Sequence, residues 1–296
     1  MTIKARHHIL TPACFDDLVG QMASQKAARP FTLDLSEVTF VDPFGLVGTT
    51  LLLWNLPPDL LPARIVLPTA KQGDYNLLPY LYRIGFFDAV QAAAMFEGEW
   101  EHLKSYQRWD RNLLLEMTRV RTVDDINAIM DKTASILEDL GYSAVGATQF
   151  CEVISELCSN IVLHSHAERD GLVVIQAYQR RNGERFVVLA IGDAGIGIRR
   201  SLAMNPRHGK ALESDTLAIF RALQPGVSRL EEAGHGGGLT RVLQIVLRYT
   251  GRLDIRSGAG HVYIKGEDRR GHKFHVAPFP GTQIRIALPE QRLVRR

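Results

Sequence analysis

The sequence predicts an α/β protein made of two units. In the first hundred residues, short apolar runs typical of buried strands alternate with apolar segments of helix length. In the second half, amphipathic helical patterns come first, and strands and glycine-rich stretches follow. A charged segment without sustained apolar periodicity separates the two halves. We therefore predict an N-terminal α/β domain at residues 1–95, a linker at 96–107, a larger domain at 108–290 and a basic tail at 291–296.

The composition is that of a soluble globular chain. Its 296 residues suffice for two hydrophobic cores, and a formal net charge of +3 is too small to indicate nucleic-acid binding by itself. Cys14, Cys151 and Cys158 have neither a zinc-site spacing nor an even number for disulfides, which favours a reducing compartment. No signal-peptide pattern occurs at the N-terminus, and no apolar run approaches the roughly 18 residues of a membrane helix. We therefore expect a cytoplasmic location, with neither a membrane nor a nucleic acid as a direct partner.

The N-terminal half contains three apolar runs that predict strands: FTLDL (31–35), VTFV (38–41) and ARIVLP (63–68). The turn DPFG precedes LVGTTLLLWNL, which predicts a buried helix. In YNLLPYLYRIGFFDAV we predict a helix followed by a short strand.

The C-terminal half begins with NLLLEMTRV, a predicted strand, and VDDINAIMDKTASILEDLG, a predicted helix with acidic residues in its first turn. A second helix is predicted at about 144–166, followed by two strands joined at Asn182-Gly183, a strong hairpin signal. A long polar stretch then leads to GHGGG, a helix in LTRVLQIVLRYTG and final strands that include GTQIRIALP.

One face of the second predicted helix carries polar side chains that could take part in binding or catalysis. Glu156, Asn160 and His164 are spaced four residues apart, so they lie along one side of a helix. This spacing is compatible with a solvated stripe and with a carboxylate and an amide that face a ligand.

The stretch GDAGIGIRR, residues 192–200, follows a strand that looks buried. Asp193, Gly195 and Gly197 are residue types of a hairpin turn. They are also the residue types of a ligand site, because glycine allows close approach of the backbone. The sequence at this point is compatible with both interpretations.

A second glycine motif, GHGGGLTRV, places Gly234, Gly236, Gly237 and Gly238 directly before an amphipathic helix. Free N–H groups at such a helix start form an anion site, and phosphate is the obvious ligand. The motif is not a P-loop, because no lysine followed by Ser or Thr closes it, and it lacks the βαβ setting of a dinucleotide site. By itself it is also compatible with a flexible tip.

The order of these motifs resembles the GHKL ATPase superfamily, which includes gyrase, the heat-shock chaperone of ninety kilodaltons, histidine kinases and the mismatch-repair protein MutL. The order is Glu-x-x-x-Asn, strand-Asp-x-Gly-x-Gly, a polar lid, Gly-x-Gly-x-Gly-Leu and Gly-Thr before a last strand, over residues 108–290. The resemblance implies an α/β sandwich, a mixed sheet with helices on one face, that binds ATP and Mg²⁺.

The resemblance also implies roles for individual residues. Asp193 would accept the adenine amino group, with Gly195 and Gly197 close beneath the base. Asn160 would offer its amide oxygen to magnesium, and Glu156 would take a proton from the attacking water or hydroxyl.

The remaining implied contacts belong to the phosphates and to the adenine end. Gly234, Gly236 and Gly238, with Leu239 closing their motif, would hold the phosphates, and Thr282 would support the adenine end. For His164 the family likeness implies a basic group near the phosphates, whereas its place at a helix end is typical of a cap.

The N-terminal stretch FTLDLSEVTFVDPFGLVGTTLLL resembles the STAS domain of anti-sigma-factor antagonists, over about residues 5–95. Pro43 stands where that family has its phosphorylated serine, although Asp42 and Gly45 remain, so the usual switch chemistry cannot occur there. Thr49 and Thr50 are alternative hydroxyls, but helix packing is the simpler interpretation of both.

Together the two resemblances favour a partner-switching protein serine/threonine kinase that resembles anti-sigma factors. Its partner would be a regulatory protein, antagonist-like or sigma-factor-like, and a homodimer is a further option. The alternative is an ATP-gated conformational or dimerisation switch with slow or no hydrolysis. A histidine kinase is disfavoured, because no heptad-patterned helix pair precedes residue 108.

Overall fold

The structure is a computed structural model that describes residues 1–26, 29–68, 77–105, 112–167, 170–179, 182–206, 212–228, 237–267, 270–290 and 293. It confirms the α/β fold class, with a four-stranded and a five-stranded sheet and a short two-stranded pair. No helix within these ranges has the length and apolar character needed to cross a membrane.

The N-terminal half is built on a parallel sheet of order β1-β3-β5-β6, beside a short parallel pair of β2 and β4. Its elements are β1 (Thr2–Lys4), β2 (Ile9–Leu10), α1 (Pro12–Ser24), β3 (Thr32–Asp34), β4 (Phe40–Val41), α2 (Pro43–Trp54), β5 (Ala63–Val66), α3 (Leu77–Arg83), α4 (Phe86–Val90) and β6 (Ala94–Glu97). Asp42 caps α2, because its Oδ1 accepts a hydrogen bond from the Phe44 N–H at 2.9 Å. Thr49 and Thr50 are buried in α2, as the packing interpretation requires.

Two details of this half differ from the prediction. The segment Phe86–Val90 is helix α4 and not a strand, because its buried side chains recur at helical spacing, a distinction that a short apolar run does not reveal. The strand is β6, which extends to Glu97 and thus into the predicted linker. A 3₁₀ helix, Glu101–Ser105, follows, and its Leu103 is buried in the N-terminal core.

The C-terminal half is built on the sheet of order β10-β11-β9-β8-β7, in which each neighbouring pair is antiparallel and not mixed as expected. The pairs β8–β9 and β10–β11 are consecutive along the chain, and such neighbours pair antiparallel when the chain simply reverses between them. The elements are β7 (Leu113–Val120), α5 (Val123–Asp139), α6 (Ala144–His164), β8 (Gly171–Gln179), β9 (Arg185–Gly192), α7 (Gly197–Ala203), α8 (Asp215–Ala222), α9 (Gly238–Arg248), β10 (Arg252–Lys265) and β11 (Gly271–Pro289).

The start of α6 is fixed by its own cap and by the end of the chain. The Ser143 hydroxyl accepts a hydrogen bond from the Gly146 N–H at 3.0 Å, while the Ser143 N–H donates to the Leu293 carbonyl at 2.8 Å. Leu293 is fully buried, so this residue of the predicted basic tail belongs to the core. Residues 291–292 and 294–296 lie outside the described residues.

The five-stranded sheet is covered on both faces, because apolar side chains of β8 and β9 alternate between two cores. Val173, Ile175, Leu189 and Ile191 pack with α5, α6 and α9. Leu172, Val174 and Ala190 belong instead to the core of the N-terminal half, as does Phe279 of β11. The C-terminal domain thus has its own helices on one face, and α1 and α2 lie on the other.

Charged groups also join the two halves. Arg256 is 0% exposed, and its Nε donates to Asp16 Oδ1 at 2.7 Å. His261 Nδ1 lies 2.7 Å from the other oxygen of Asp16, and its Nε2 lies 3.6 Å from Asp254 Oδ1. Burial lowers the pKa of His261, but its two aspartate neighbours outweigh burial and raise this pKa to about 9.

Candidate functional site

A cavity of about 470 Å³ lies between α6, the start of α9 and the ends of β9 and β11. Seven of the residues predicted for the site line it: Glu156, Asn160, Asp193, Gly197, Gly238, Leu239 and Thr282. Gly195 lies beside the cavity and is not part of its lining. Gly234 and Gly236 lie outside the described residues, as does the side chain of His164.

Asp193 follows β9 and is held by the strand next to it. Its N–H donates to the Thr282 carbonyl at 2.9 Å, and its carbonyl accepts from Gln283 Nε2 at 2.8 Å. Its carboxylate is buried and accepts a hydrogen bond from the Gly195 N–H at 2.7 Å. Burial raises the pKa of Asp193 to about 6, although backbone hydrogen bonds of Gly195 and Thr282 oppose that rise. At neutral pH this end of the cavity therefore presents a desolvated anion that favours an N–H donor.

The two glycines after Asp193 are required by backbone packing. A Cβ on Gly195 would lie 1.9 Å from the Ser165 carbonyl oxygen, so only glycine fits against the end of α6. Gly197 has φ +75° and begins α7, and the Ile198 N–H next to it donates to Ser257 Oγ at 2.9 Å. The segment therefore joins β9 to α7 and is not a hairpin turn. The close approach of Gly195 is to the protein's own backbone.

Glu156 and Asn160 lie one turn apart on α6, and both side chains are half-buried at the cavity wall. Asn160 Nδ2 is buried and has no hydrogen-bond partner among the described residues. Amide oxygen and nitrogen are nearly equal in size, so this side chain can turn either atom toward a ligand. An unpaired amide in a cavity wall favours a bound polar group, because a buried polar atom without a partner is costly.

The start of α9 closes the other end of the cavity. Gly237 is the N-cap of this helix and offers no side-chain hydrogen bond, and among the described residues no side chain caps the first N–H groups of α9. A Cβ on Gly238 would lie 2.5 Å from Glu156 Oε2, which shows how closely the helix start approaches that carboxylate. An uncapped helix start at a cavity wall is suited to an anion.

Several residues that shape the site were not predicted. Ser257 Oγ lies 3.2 Å from Thr282 Oγ1 and links the last two strands near Asp193. A Cβ on Gly281, which has φ +76°, would lie 2.1 Å from the Asp193 carbonyl oxygen. Gly281 belongs to the recognised Gly-Thr pair, so its importance was accessible from the sequence. The cavity-lining Arg241 belongs to the recognised motif GHGGGLTRV but was given no role, and Ser257 lies in no recognised motif.

Comparison with known proteins places this geometry in a family. Residues 146–292 match the family of histidine kinase-, DNA gyrase B- and HSP90-like ATPases. This part of the chain is therefore similar to GHKL ATPase domains, which bind ATP, generally with magnesium. No curated protein matches the chain.

A solved structure of the histidine kinase domain from the blue-light activated histidine kinase of Erythrobacter litoralis EL346 is similar at 14% identity with a TM-score of 0.28. The match covers 57% of this chain and 62% of that chain, so it spans less than two thirds of the solved domain.

Proposed function

We propose that the protein binds magnesium-ATP in this cavity and transfers the terminal phosphoryl group to a serine or threonine of a regulatory protein partner, as partner-switching anti-sigma factors do. The observation that carries the proposal is the distribution of charge along the cavity. A buried carboxylate, Asp193, lies at one end and the uncapped start of α9 at the other, with Glu156 and Asn160 between them.

The residues present fit magnesium-ATP. Asp193 would accept the amino group of adenine, a charge-assisted hydrogen bond that contributes about 1.5–3 kcal/mol. The unpaired amide of Asn160 would bind magnesium, which neutralises charge on the phosphates when it is bound. The first N–H groups of α9 would hold phosphate oxygens.

Glu156 is suited to the role of general base. Its Oε2 lies against Gly238, at the end of the cavity where the anion would bind, and its half-buried carboxylate remains open to an incoming group. A carboxylate at this place would orient a hydroxyl and take its proton as the phosphoryl group leaves ATP. A serine or threonine of a protein partner supplies such a hydroxyl.

The N-terminal half supports a partner-switching role and not that of a histidine kinase. Its parallel sheet and the junction of β4 and α2 agree with a STAS-like unit, and Pro43 at that junction has no hydroxyl to phosphorylate. Among the described residues before Leu113, the helices pack around this unit, and none forms a long hairpin that presents a histidine. We propose that this half is a permanently docked, regulatory domain.

A second candidate is an ATP-gated switch with slow or no hydrolysis. The segment between the two glycine motifs, which contains α7 and α8, favours this candidate. Residues of α7 and residues near α8 line the cavity. Helix α8 also packs on β10. The Ala259 N–H of β10 donates to Asp215 Oδ2 of α8 at 2.9 Å. A bound nucleotide would thus contact elements that also form part of the outer surface.

The fate of the terminal phosphate tests the proposal. The wild type, Glu156→Gln and a control, Glu138→Gln on the exposed side of α5, are incubated with magnesium and γ-labelled ATP in cell extract. Label on an extract protein with the wild type and the control, but not with Glu156→Gln, is the expected result. ATP that is bound without transfer of label would overturn the kinase and support the switch. Absence of ATP binding would overturn both.

A further inference from the structure

We propose that Arg241 binds the terminal phosphate of ATP by leaving an ion pair with Glu152, and that the protein thereby distinguishes ATP from ADP. This inference rests on the proposed nucleotide function and assigns a role to a residue of the motif GHGGGLTRV that was given none there. It starts from the position of Arg241 on α9. The Arg241 N–H donates to the Gly237 carbonyl at 2.7 Å, in the first turn of the helix, and its side chain lines the cavity.

Charge singles out Arg241. Among the cavity-lining residues that the structure describes, it is the one with a positive side chain, and the two acidic ones are Glu156 and Asp193. A triphosphate carries several negative charges, so a cationic group in this wall has a clear electrostatic role.

The contacts of α6 show which end of a nucleotide would meet Arg241. Ser165, just beyond the C-terminal end of α6, contacts Gly195 beside Asp193. Nine residues earlier, Glu156 contacts Gly238, and one turn before that Glu152 contacts Arg241. Nine residues of helix span about 14 Å. A nucleotide with its base at Asp193 that extends along α6 would therefore present its last phosphate toward Glu156 and Arg241.

The present partner of Arg241 is easily exchanged. Arg241 Nε and Nη2 donate to the same oxygen of Glu152, Oε2, at 3.2 and 2.9 Å. The two side chains are 40% and 38% exposed, so water screens this pair and it contributes little to stability. A phosphate offers several oxygens in the geometry that a guanidinium binds in a two-pronged manner. Glu152 keeps the guanidinium extended along α6 until that phosphate arrives.

The test compares dissociation constants of magnesium-ATP and magnesium-ADP for the full chain. Arg241→Gln is expected to weaken ATP binding about 10- to 100-fold and to leave ADP binding within about twofold. Arg241→Lys keeps the positive charge but lacks the two parallel N–H donors of a guanidinium, so it should weaken ATP binding by an intermediate factor. Glu152→Gln removes the competing carboxylate and should tighten ATP binding severalfold without a change for ADP.

The alternative is a purely structural ion pair. In that case Arg241→Gln and Glu152→Gln would lower the melting temperature alike and would change ATP and ADP affinity by the same factor, which overturns the inference and leaves the nucleotide site intact. If the wild type binds neither nucleotide, the proposed function fails together with the inference. Should Arg241→Gln not fold, the Arg241→Lys and Glu152→Gln variants still decide the outcome.

Discussion

Arg285 of β11 and Asp42, the cap of α2, form a two-pronged ion pair across the interface of the two halves. Arg285 Nε lies 3.0 and 2.9 Å from the two carboxylate oxygens of Asp42. Asp42 Oδ1 also accepts the Phe44 N–H, so one carboxylate both starts α2 and attaches it to the sheet of the ATPase domain. The same helix approaches the cavity, because a Cβ on Gly192, the residue before Asp193, would lie 3.0 Å from Val47 and Leu51 of α2.

Removal of this carboxylate is expected to destabilise the whole protein. Asp42 and Arg285 are 8% and 17% exposed, and loss of one partner leaves the other charge buried, at a cost of about 3–5 kcal/mol. We expect Asp42→Ala to lower the free energy of unfolding in urea by that amount. Glu37→Gln, which breaks the exposed Lys4–Glu37 pair, serves as the control and should change the free energy of unfolding far less, because water screens that pair. Equal, small effects of the two variants would contradict a structural role for the interface pair.

The charged groups at the interface should also make the free energy of unfolding decrease at alkaline pH. Three carboxylates, Asp16, Asp42 and Asp254, face two guanidinium groups and His261, so the cluster is neutral when His261 is protonated. The folded pKa of His261, about 9, lies above the ordinary histidine pKa of 6.5, so the stabilisation is complete below pH 6.5 and is lost as the pH rises through 9.

The corresponding measurement is the free energy of unfolding between pH 6 and 10. We expect a decrease of up to about 3 kcal/mol for the wild type. His261→Gln should show a flatter profile, and His275→Gln, which changes an exposed histidine of β11, should retain the slope. A wild-type profile as flat as that of His261→Gln would refute this assignment.

Nucleotide binding should weaken at acidic pH. The pKa of Asp193 is about 6, and only its ionised form is a charged acceptor for the adenine amino group. We expect the dissociation constant of magnesium-ATP to rise about tenfold from pH 7.5 to pH 5. The phosphates of ATP also titrate in this range. The dissociation constants are therefore measured over the same pH range for Asp193→Asn, in which only the titration of ATP remains. Parallel curves for the two proteins would mean that Asp193 does not control binding.

The same carboxylate should reduce stability in the absence of nucleotide. Its folded pKa of about 6 lies above the ordinary aspartate pKa of 3.8, so the stability associated with the protonated form is present below pH 3.8 and is lost as the pH rises through 6. At pH 7, Asp193→Asn is therefore expected to increase the free energy of unfolding by about 1–3 kcal/mol while it weakens ATP binding. Asp139→Asn on the exposed side of α5 is the control. A destabilised Asp193→Asn variant would show that the buried charge has structural partners which compensate its desolvation.

Two adjacent glycines allow a matched test of the α9 start. A Cβ on Gly238 would lie 2.5 Å from Glu156 Oε2, the flexible end of a side chain, whereas a Cβ on Gly237 meets nothing within 4 Å. We expect Gly238→Ala to fold, to displace Glu156 and to slow phosphoryl transfer about tenfold or more. Gly237→Ala should transfer phosphate at close to the wild-type rate. Equal rates in the two variants would argue against a catalytic position for Glu156.

The sequence predicted those parts of the site whose residues are close to one another along the chain. Glu156 and Asn160 are one turn apart, and such spacing fixes the shared face of a helix whatever surrounds it. Gly195 was recognised as a position that needs glycine, but the group that approaches it, the Ser165 carbonyl, is supplied by the tertiary fold. The short strand predicted after the helix in YNLLPYLYRIGFFDAV was wrong, because an apolar run this short does not reveal its period in the sequence.

The ion pairs between the two halves could not be predicted from local residue spacing. Asp42 and Arg285 are 243 residues apart, and neither belongs to a periodic pattern that identifies its partner. Charged residues are expected at the surface unless a partner is known, so the sequence did not indicate a buried cluster. In β8 and β9, apolar side chains alternate between two different cores. In the sequence these strands look like ordinary continuous apolar runs, because the second core is formed by the N-terminal half.

Because the sheet is buried on both faces, the two halves are not interchangeable parts. Recombination that replaced the first hundred residues with an unrelated segment would leave Leu172, Val174 and Ala190 in water and Arg256 without its carboxylate. An exchange between related genes would succeed only if aspartates equivalent to Asp16 and Asp42 came with it. The sheet that carries the cavity therefore depends for its stability on residues that lie outside the cavity lining.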